Sequence, residues 1–156
     1  MLASFLKSFM SQNWEDLLLL HWPFSPDALS PAIPNDLELD LFNDQAWVSV
    51  VGFRLSNLRI SPFLSIPWSD FLEVNLRTYV RDRDGRRGVW FYSLDSSDLP
   101  AVLGARFLYG LAYFHSVIEM EKTKEAVSFR SQRRQFLEST QASLGAKFPR
   151  GGKDLP

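Results

Sequence analysis

Between Phe71 and Val80 an acid, an amide, a guanidinium and a phenol stand at every second position, as Glu73, Asn75, Arg77 and Tyr79. Apolar residues fill the intervening places at Leu72, Val74 and Leu76, and Val80 closes the run. Successive side chains of a strand point to opposite faces, so this spacing puts the four polar groups in one row. Such a row can orient a small polar or carboxylated molecule, because ligand pockets set a few convergent polar groups against an apolar wall. Antiparallel sheets also commonly leave one face in water, and the residues alone favour that solvated reading.

Other candidates are weaker. His21 lies in an apolar stretch and His115 follows the aromatic pair Tyr113-Phe114, so either could act as a general base or a ligand, although packing against a hydrogen-bond partner is the commoner role. With two histidines, no cysteine and no His-Glu-x-x-His motif, no metal site is assigned. Asp95 precedes a helix start, where an acid usually caps. Arg81, Arg83, Arg86 and Arg87 crowd a turn with Asp82 and Asp84, which reads as a solvated tip rather than an anion site, and Arg130, Arg133 and Arg134 raise the same question. No lysine occurs between Lys7 and Lys122, which removes the core amine that imine chemistry needs. A Gly-x-Ser-x-Gly elbow, a phosphate-binding glycine loop and a dinucleotide fingerprint are all missing, which argues against esterase, nucleotide-hydrolase and NAD-dependent classes and implies no cofactor.

The elements that must hold these residues belong to a chain of 156 residues, about one domain's worth. A composition of 46% hydrophobic and 22% charged residues is that of a globular core. A net charge of -1 lacks the basic footprint of general nucleic-acid binding. The absence of cysteine gives no reason to expect an oxidising compartment, and no run approaches the ~18 apolar residues of a membrane span, so a cytoplasmic protein is expected. Met1–Met10 reads as a short amphipathic helix, placed in a segment 1–12 ahead of a single domain 13–149, with a frayed tail 150–156. Leu17–Leu20 reads as a strand covered on both faces. Ser25-Pro26-Asp27 starts a short helix that Pro31 and Pro34 end. Leu37, Leu39 and Leu41 alternate into a strand, and Asn43-Asp44 turns into a long strand Ala46–Ile60 with a bend or bulge at Gly52. Ser61–Ser69 is a loop. Phe71–Val80 and Gly88–Asp95 form a hairpin about Asp84-Gly85, where a type I′ turn would need positive φ at Gly85. Ala101–Tyr109 is a helix stopped by Gly110. Tyr113–Met120 pairs with Ala126–Arg130, and Ala142 to Phe148 forms a last strand. Six or seven strands with two or three short helices make a mainly antiparallel α+β or barrel-like fold.

Several segments in one order carry a resemblance. Asn13-Trp14-Glu15-Asp16-Leu17-Leu18-Leu19-Leu20-His21-Trp22-Pro23, Leu37-Glu38-Leu39-Asp40, Ala46-Trp47-Val48, Glu73-Val74-Asn75-Leu76-Arg77-Thr78-Tyr79-Val80 and Gly88-Val89-Trp90-Phe91-Tyr92-Ser93-Leu94-Asp95 resemble the uncharacterised YqjF-like family from about Gln12 to Met120. That family is similar to acetoacetate decarboxylases, which implies a cone-shaped, mainly antiparallel β-barrel around a ligand cavity. The resemblance makes Glu73 equivalent to a glutamate lining that cavity and reverses the solvated reading of the row. It also puts Tyr113-Phe114 where the decarboxylases carry a lysine pair, so the imine-forming nucleophile is gone. Relatives of this kind continue well past Pro156, which implies a truncated or minimal barrel, incompletely closed at its C-terminal side.

The expected function is binding of a small polar or carboxylated molecule by Glu73, Asn75, Arg77, Tyr79, Tyr113 and His115, with no nucleic-acid or membrane partner. Two alternatives stand beside it. One is a lyase or hydrolase in which Glu73 or His115 does acid–base work without a covalent intermediate; the other is a homo-oligomerising structural module.

Overall fold

Two turns of opposite kinds organise the sheet. In the computed structural model, which describes residues 10–60, 68–123, 126–133 and 143–149, Asn43 and Asp44 both adopt positive φ (51° and 58°) and bring Phe42 opposite Gln45. That is the conformation two-residue hairpin turns need and the one Asn and Asp tolerate. The second turn is the hairpin expected about Asp84-Gly85, in a longer form than type I′. The Gly85 amide donates to the Asp82 carbonyl at 2.9 Å and Asp82 pairs with Arg86, so Arg83, Asp84 and Gly85 form a three-residue loop in which Gly85 alone takes positive φ, at 76°. The Asp82 side chain drives the change by accepting the amides of Asp84 and Arg86. Three of the four arginines around this tip are paired: Arg86 with Asp82 and Asp84, and Arg81 and Arg87 both with Asp40.

The element order is β1 (Met10–Phe24), α1 (Pro26–Leu29) with a 3₁₀ turn (Ser30–Ala32), β2 (Leu37–Leu39), β3 (Ala46–Ile60), β4 (Phe71–Asp82), β5 (Arg87–Ser96), α2 (Leu99–Tyr109), β6 (Tyr113–Lys122), β7 (Ala126–Arg133) and β8 (Ser143–Pro149). One sheet runs β1-β3-β4-β5-β6-β7-β8, and β2 pairs with the end of β4 that β3 leaves free. Every strand pair is antiparallel except β5–β6, which the crossover helix α2 makes parallel. Asp98 caps α2 by accepting the Ala101 amide at 2.7 Å, Pro100 sits in its first turn, and Gly110 ends it in the left-handed conformation. The result is a mostly antiparallel half-barrel rather than a closed cone, because β1 and β8 do not pair among the described residues.

The sheet curls so that β6 and β7 lie across β1, β3 and β4. Leu18, Val50, Val74, Ile118 and Phe129 meet in one core cluster, and Lys122 at the end of β6 pairs with Asp16 of β1. Gly52 makes this approach possible. A Cβ there would lie 3.1 Å from the Phe129 ring, so the glycine serves a close contact and not the bend expected of it. The bulge is opposite, on β1, where Asp16 takes φ 51° between the pairs Glu15–Arg54 and Leu18–Gly52. A second cluster of Val51, Phe53, Leu55, Leu58 and Phe71, joined by Trp68 and Ala101, fills the other face of the sheet.

Three further expectations need correction or lie out of reach. β1 is not covered on both faces: among the described residues it pairs with β3 alone, and only the face carrying Leu18 is packed over, while Leu17 and Leu19 on the other stay exposed. The strand already begins at Met10, inside the segment expected to be helical, whose first nine residues lie outside the described ones, as do residues 61–67 of the expected loop and the tail 150–156. Asp95 does not cap α2, since Asp98 does. No helix among the described residues is long and apolar enough to cross a membrane.

Candidate functional site

The row on β4 keeps its period because β3 and β4 pair without interruption from Val48–Thr78 to Leu55–Phe71. Phe53, Val51 and Ser49 stand beside Glu73, Asn75 and Arg77 on one flank, and Ser96, Leu94 and Phe91 on the other. Glu73 and Asn75 are 4% and 3% exposed, and Arg77 and Tyr79 are half-buried. The row is therefore graded, from a dry acid end to a half-open phenol end, and it is not a solvated face.

Tyr113 closes the dry end. The short parallel pairing of β5 with β6 sets Tyr113 opposite Leu94 and His115 opposite Ser96, and the Tyr113 hydroxyl donates to the Glu73 carboxylate at 3.2 and 3.4 Å. Burial pushes the Glu73 carboxyl up to about 7, while hydrogen bonds from Tyr113 and Asn75 pull it partly back. Burial, then the Glu73 charge, drives the Tyr113 phenol well above its ordinary range. A carboxyl poised near neutrality beside a phenol that stays protonated can give or take a proton at physiological pH. His115 is half-buried, and its side chain makes no hydrogen bond or ion pair among the described residues.

A polar cluster that sequence reasoning did not assemble lies at the open end. Ser49, fully buried, hydrogen-bonds His21 Nδ1 at 2.8 Å and the Tyr79 hydroxyl at 2.9 Å, and the His21 and Tyr79 rings stack with centroids 6.2 Å apart. Burial and then the neighbouring Arg77 charge lower the His21 pKa, which favours the neutral imidazole. Arg77 has no acceptor among the described residues, and its Nε is buried without a partner. Asn75 Oδ1 is likewise buried and unpartnered.

The family model of DUF2071, described as an uncharacterized conserved protein, matches residues 11–154. The chain belongs to the DUF2071 family. It is 43% identical over 126 residues to the uncharacterized protein YqjF of Bacillus subtilis (strain 168), an alignment covering 80% of this chain and 52% of that protein. The chain thus spans about half the length of the curated relative it matches. Among solved structures, an acetoacetate decarboxylase-like enzyme from Sphingomonas wittichii RW1 superposes with a TM-score of 0.66 at 15% identity, covering 94% of this chain and 60% of that one. Acetoacetate decarboxylase from Legionella pneumophila gives 0.62 at 15% identity over 78% and 45% of the two chains. The enduracididine biosynthesis enzyme MppR, complexed with pyruvate, gives 0.61 at 13% identity over 95% and 59%. These likenesses show that the DUF2071 chain has the acetoacetate decarboxylase-like fold. Among its described residues no three His, Asp or Glu side chains come together to hold a metal ion.

Proposed function

We propose that this DUF2071 domain binds a small carboxylated molecule along the β4 row without forming an imine. The observation that carries the reading is Arg77, a half-buried guanidinium with no acceptor among the described residues, set between the buried Glu73–Tyr113 pair and the His21–Ser49–Tyr79 cluster. Its buried Nε has lost water without gaining an acceptor, and an anionic ligand supplies what it lacks. Small carboxylates should therefore raise the melting temperature of the parent by mass action and leave that of Arg77→Ala unmoved. Equal shifts in the two proteins would place the anion elsewhere. A cytoplasmic location is part of the same proposal, resting on the cysteine-free composition.

A phenol stands at Tyr113, where the family resemblance implies an amine, and no lysine lies between Lys7 and Lys122. Borohydride reduction in the presence of keto acids or diketones should accordingly leave no adduct in residues 8–121. A stable mass increase mapped to that segment would overturn the non-covalent reading.

The second reading is acid–base catalysis, and the Glu73–Tyr113 contact favours it. A carboxyl lifted to about 7 is half protonated near neutral pH, as a general acid or base requires. Binding and catalysis would use the same row, with Arg77 orienting the substrate and Glu73 exchanging the proton.

A further inference from the structure

Two buried atoms in the row ask for opposite things. Arg77 Nε is a donor without an acceptor, and Asn75 Oδ1 is an acceptor without a donor. Asn75 lies beside Glu73 and helps to hold its charge, and its own Oδ1 is buried without a hydrogen-bond partner. Asn75 and Arg77 lie on one face of β4, two positions apart, with Cα atoms about 7 Å from each other. Leu94 beside Asn75 and Phe91 beside Arg77 add apolar wall and no polar side-chain atom.

We infer that the ligand carries a hydroxyl together with its carboxylate: the carboxylate accepts from the Arg77 guanidinium and the hydroxyl donates to Asn75 Oδ1. A simple keto acid offers Asn75 a second acceptor and leaves its oxygen orphaned, so it satisfies half of the site. An alkyl acid satisfies the same half. A substrate ammonium would meet the fixed positive charge of Arg77 on one side and the part-ionised Glu73 on the other, whereas a neutral hydroxyl pairs with the oxygen regardless of either charge. Sites built to pair with a substrate hydroxyl reject analogues lacking it, because the buried protein group is then left unsatisfied. This inference rests on the proposal that a carboxylate occupies Arg77, and it adds the group two or three atoms away.

Calorimetric titration with four acids of matched size separates the two claims: 2-hydroxybutyrate, 3-hydroxybutyrate, 3-oxobutyrate and butyrate. At least one hydroxy acid should bind the parent tenfold or more tightly than both 3-oxobutyrate and butyrate. Asn75→Ala should abolish that preference and keep the weak butyrate affinity, and Arg77→Ala should lose all four. Should Asn75→Ala fail to fold, the ranking on the parent alone decides. Hydroxy acids binding no better than the controls would overturn the hydroxyl and leave the carboxylate reading intact. Binding of none of the four would overturn both.

Discussion

Glu73→Gln should make the protein more stable at pH 8, by about 3 kcal/mol, and leave it little changed at pH 4. Burial raises the Glu73 carboxyl from 4.5 to about 7, so the folded state holds its proton more tightly than the unfolded chain does. Between those two values the native protein binds more protons than the unfolded one, and stability must fall as pH rises through the window. Below pH 4.5 both states are protonated and the contribution is fully present. Above about 7 the buried carboxylate is ionised and the contribution is gone. Glutamine is neutral throughout and can still accept from the Tyr113 hydroxyl, so it should flatten the decline. Denaturant titrations of both proteins at half-unit intervals from pH 4 to 8.5 would measure this directly. Parallel curves would mean that Glu73 ionises like an exposed acid and that its burial, with the neutral-pH proton exchange drawn from it, is wrong. A carboxylate ligand on Arg77 adds negative charge to the same face and should push the window higher still.

What could be read beforehand tracks how local the cause is. The β4 row was visible because strand period is a property of nine consecutive residues, and α2 because Asp98, Pro100 and Gly110 punctuate it within a dozen positions. The hairpin about Gly85 is legible for the same reason, while its three-residue form depends on the Asp82 carboxylate recruiting two loop amides, which residue types alone do not distinguish from surface charge. The His21–Ser49 contact has no such signal. It depends on the β1–β3 register, and a bulge at Asp16 shifts that register by one residue, so periodicity alone would turn His21 the wrong way relative to Glu15. Tyr113 is marked by family resemblance alone, since nothing in its neighbourhood says that a crossover helix will return it to Glu73. The exposure of Leu17 and Leu19 has no local signal, because an apolar run looks the same whether one face of its strand or both will be packed over.

Asp95→Ala should cost about 3 kcal/mol, far more than loss of a helix cap. Asp95 is buried on β5 and accepts from Ser131 Oγ at 2.8 Å and from Arg133 Nε at 2.9 Å, both on β7 and more than 35 residues away. Removing the carboxylate leaves a largely buried guanidinium and a buried hydroxyl without their acceptor. The damage should reach the functional row. Arg133 also lies 4.0 Å from the centroid of the Phe114 ring, and Phe114 pairs with Asp95 in the three-residue parallel ladder that aims Tyr113 at Glu73. Loosening that ladder weakens the Tyr113–Glu73 hydrogen bond, so the apparent pKa of Glu73 should move in Asp95→Ala even under conditions where the variant is fully folded. Arg133→Ala should be destabilising too, and the double variant should lose distinctly less than the sum of the two singles, because the second change removes a charge that the first left stranded. Additive losses would show that the pair contributes no coupling. An unmoved Glu73 pKa would show that β6 holds Tyr113 in place without the Asp95–Arg133 clamp.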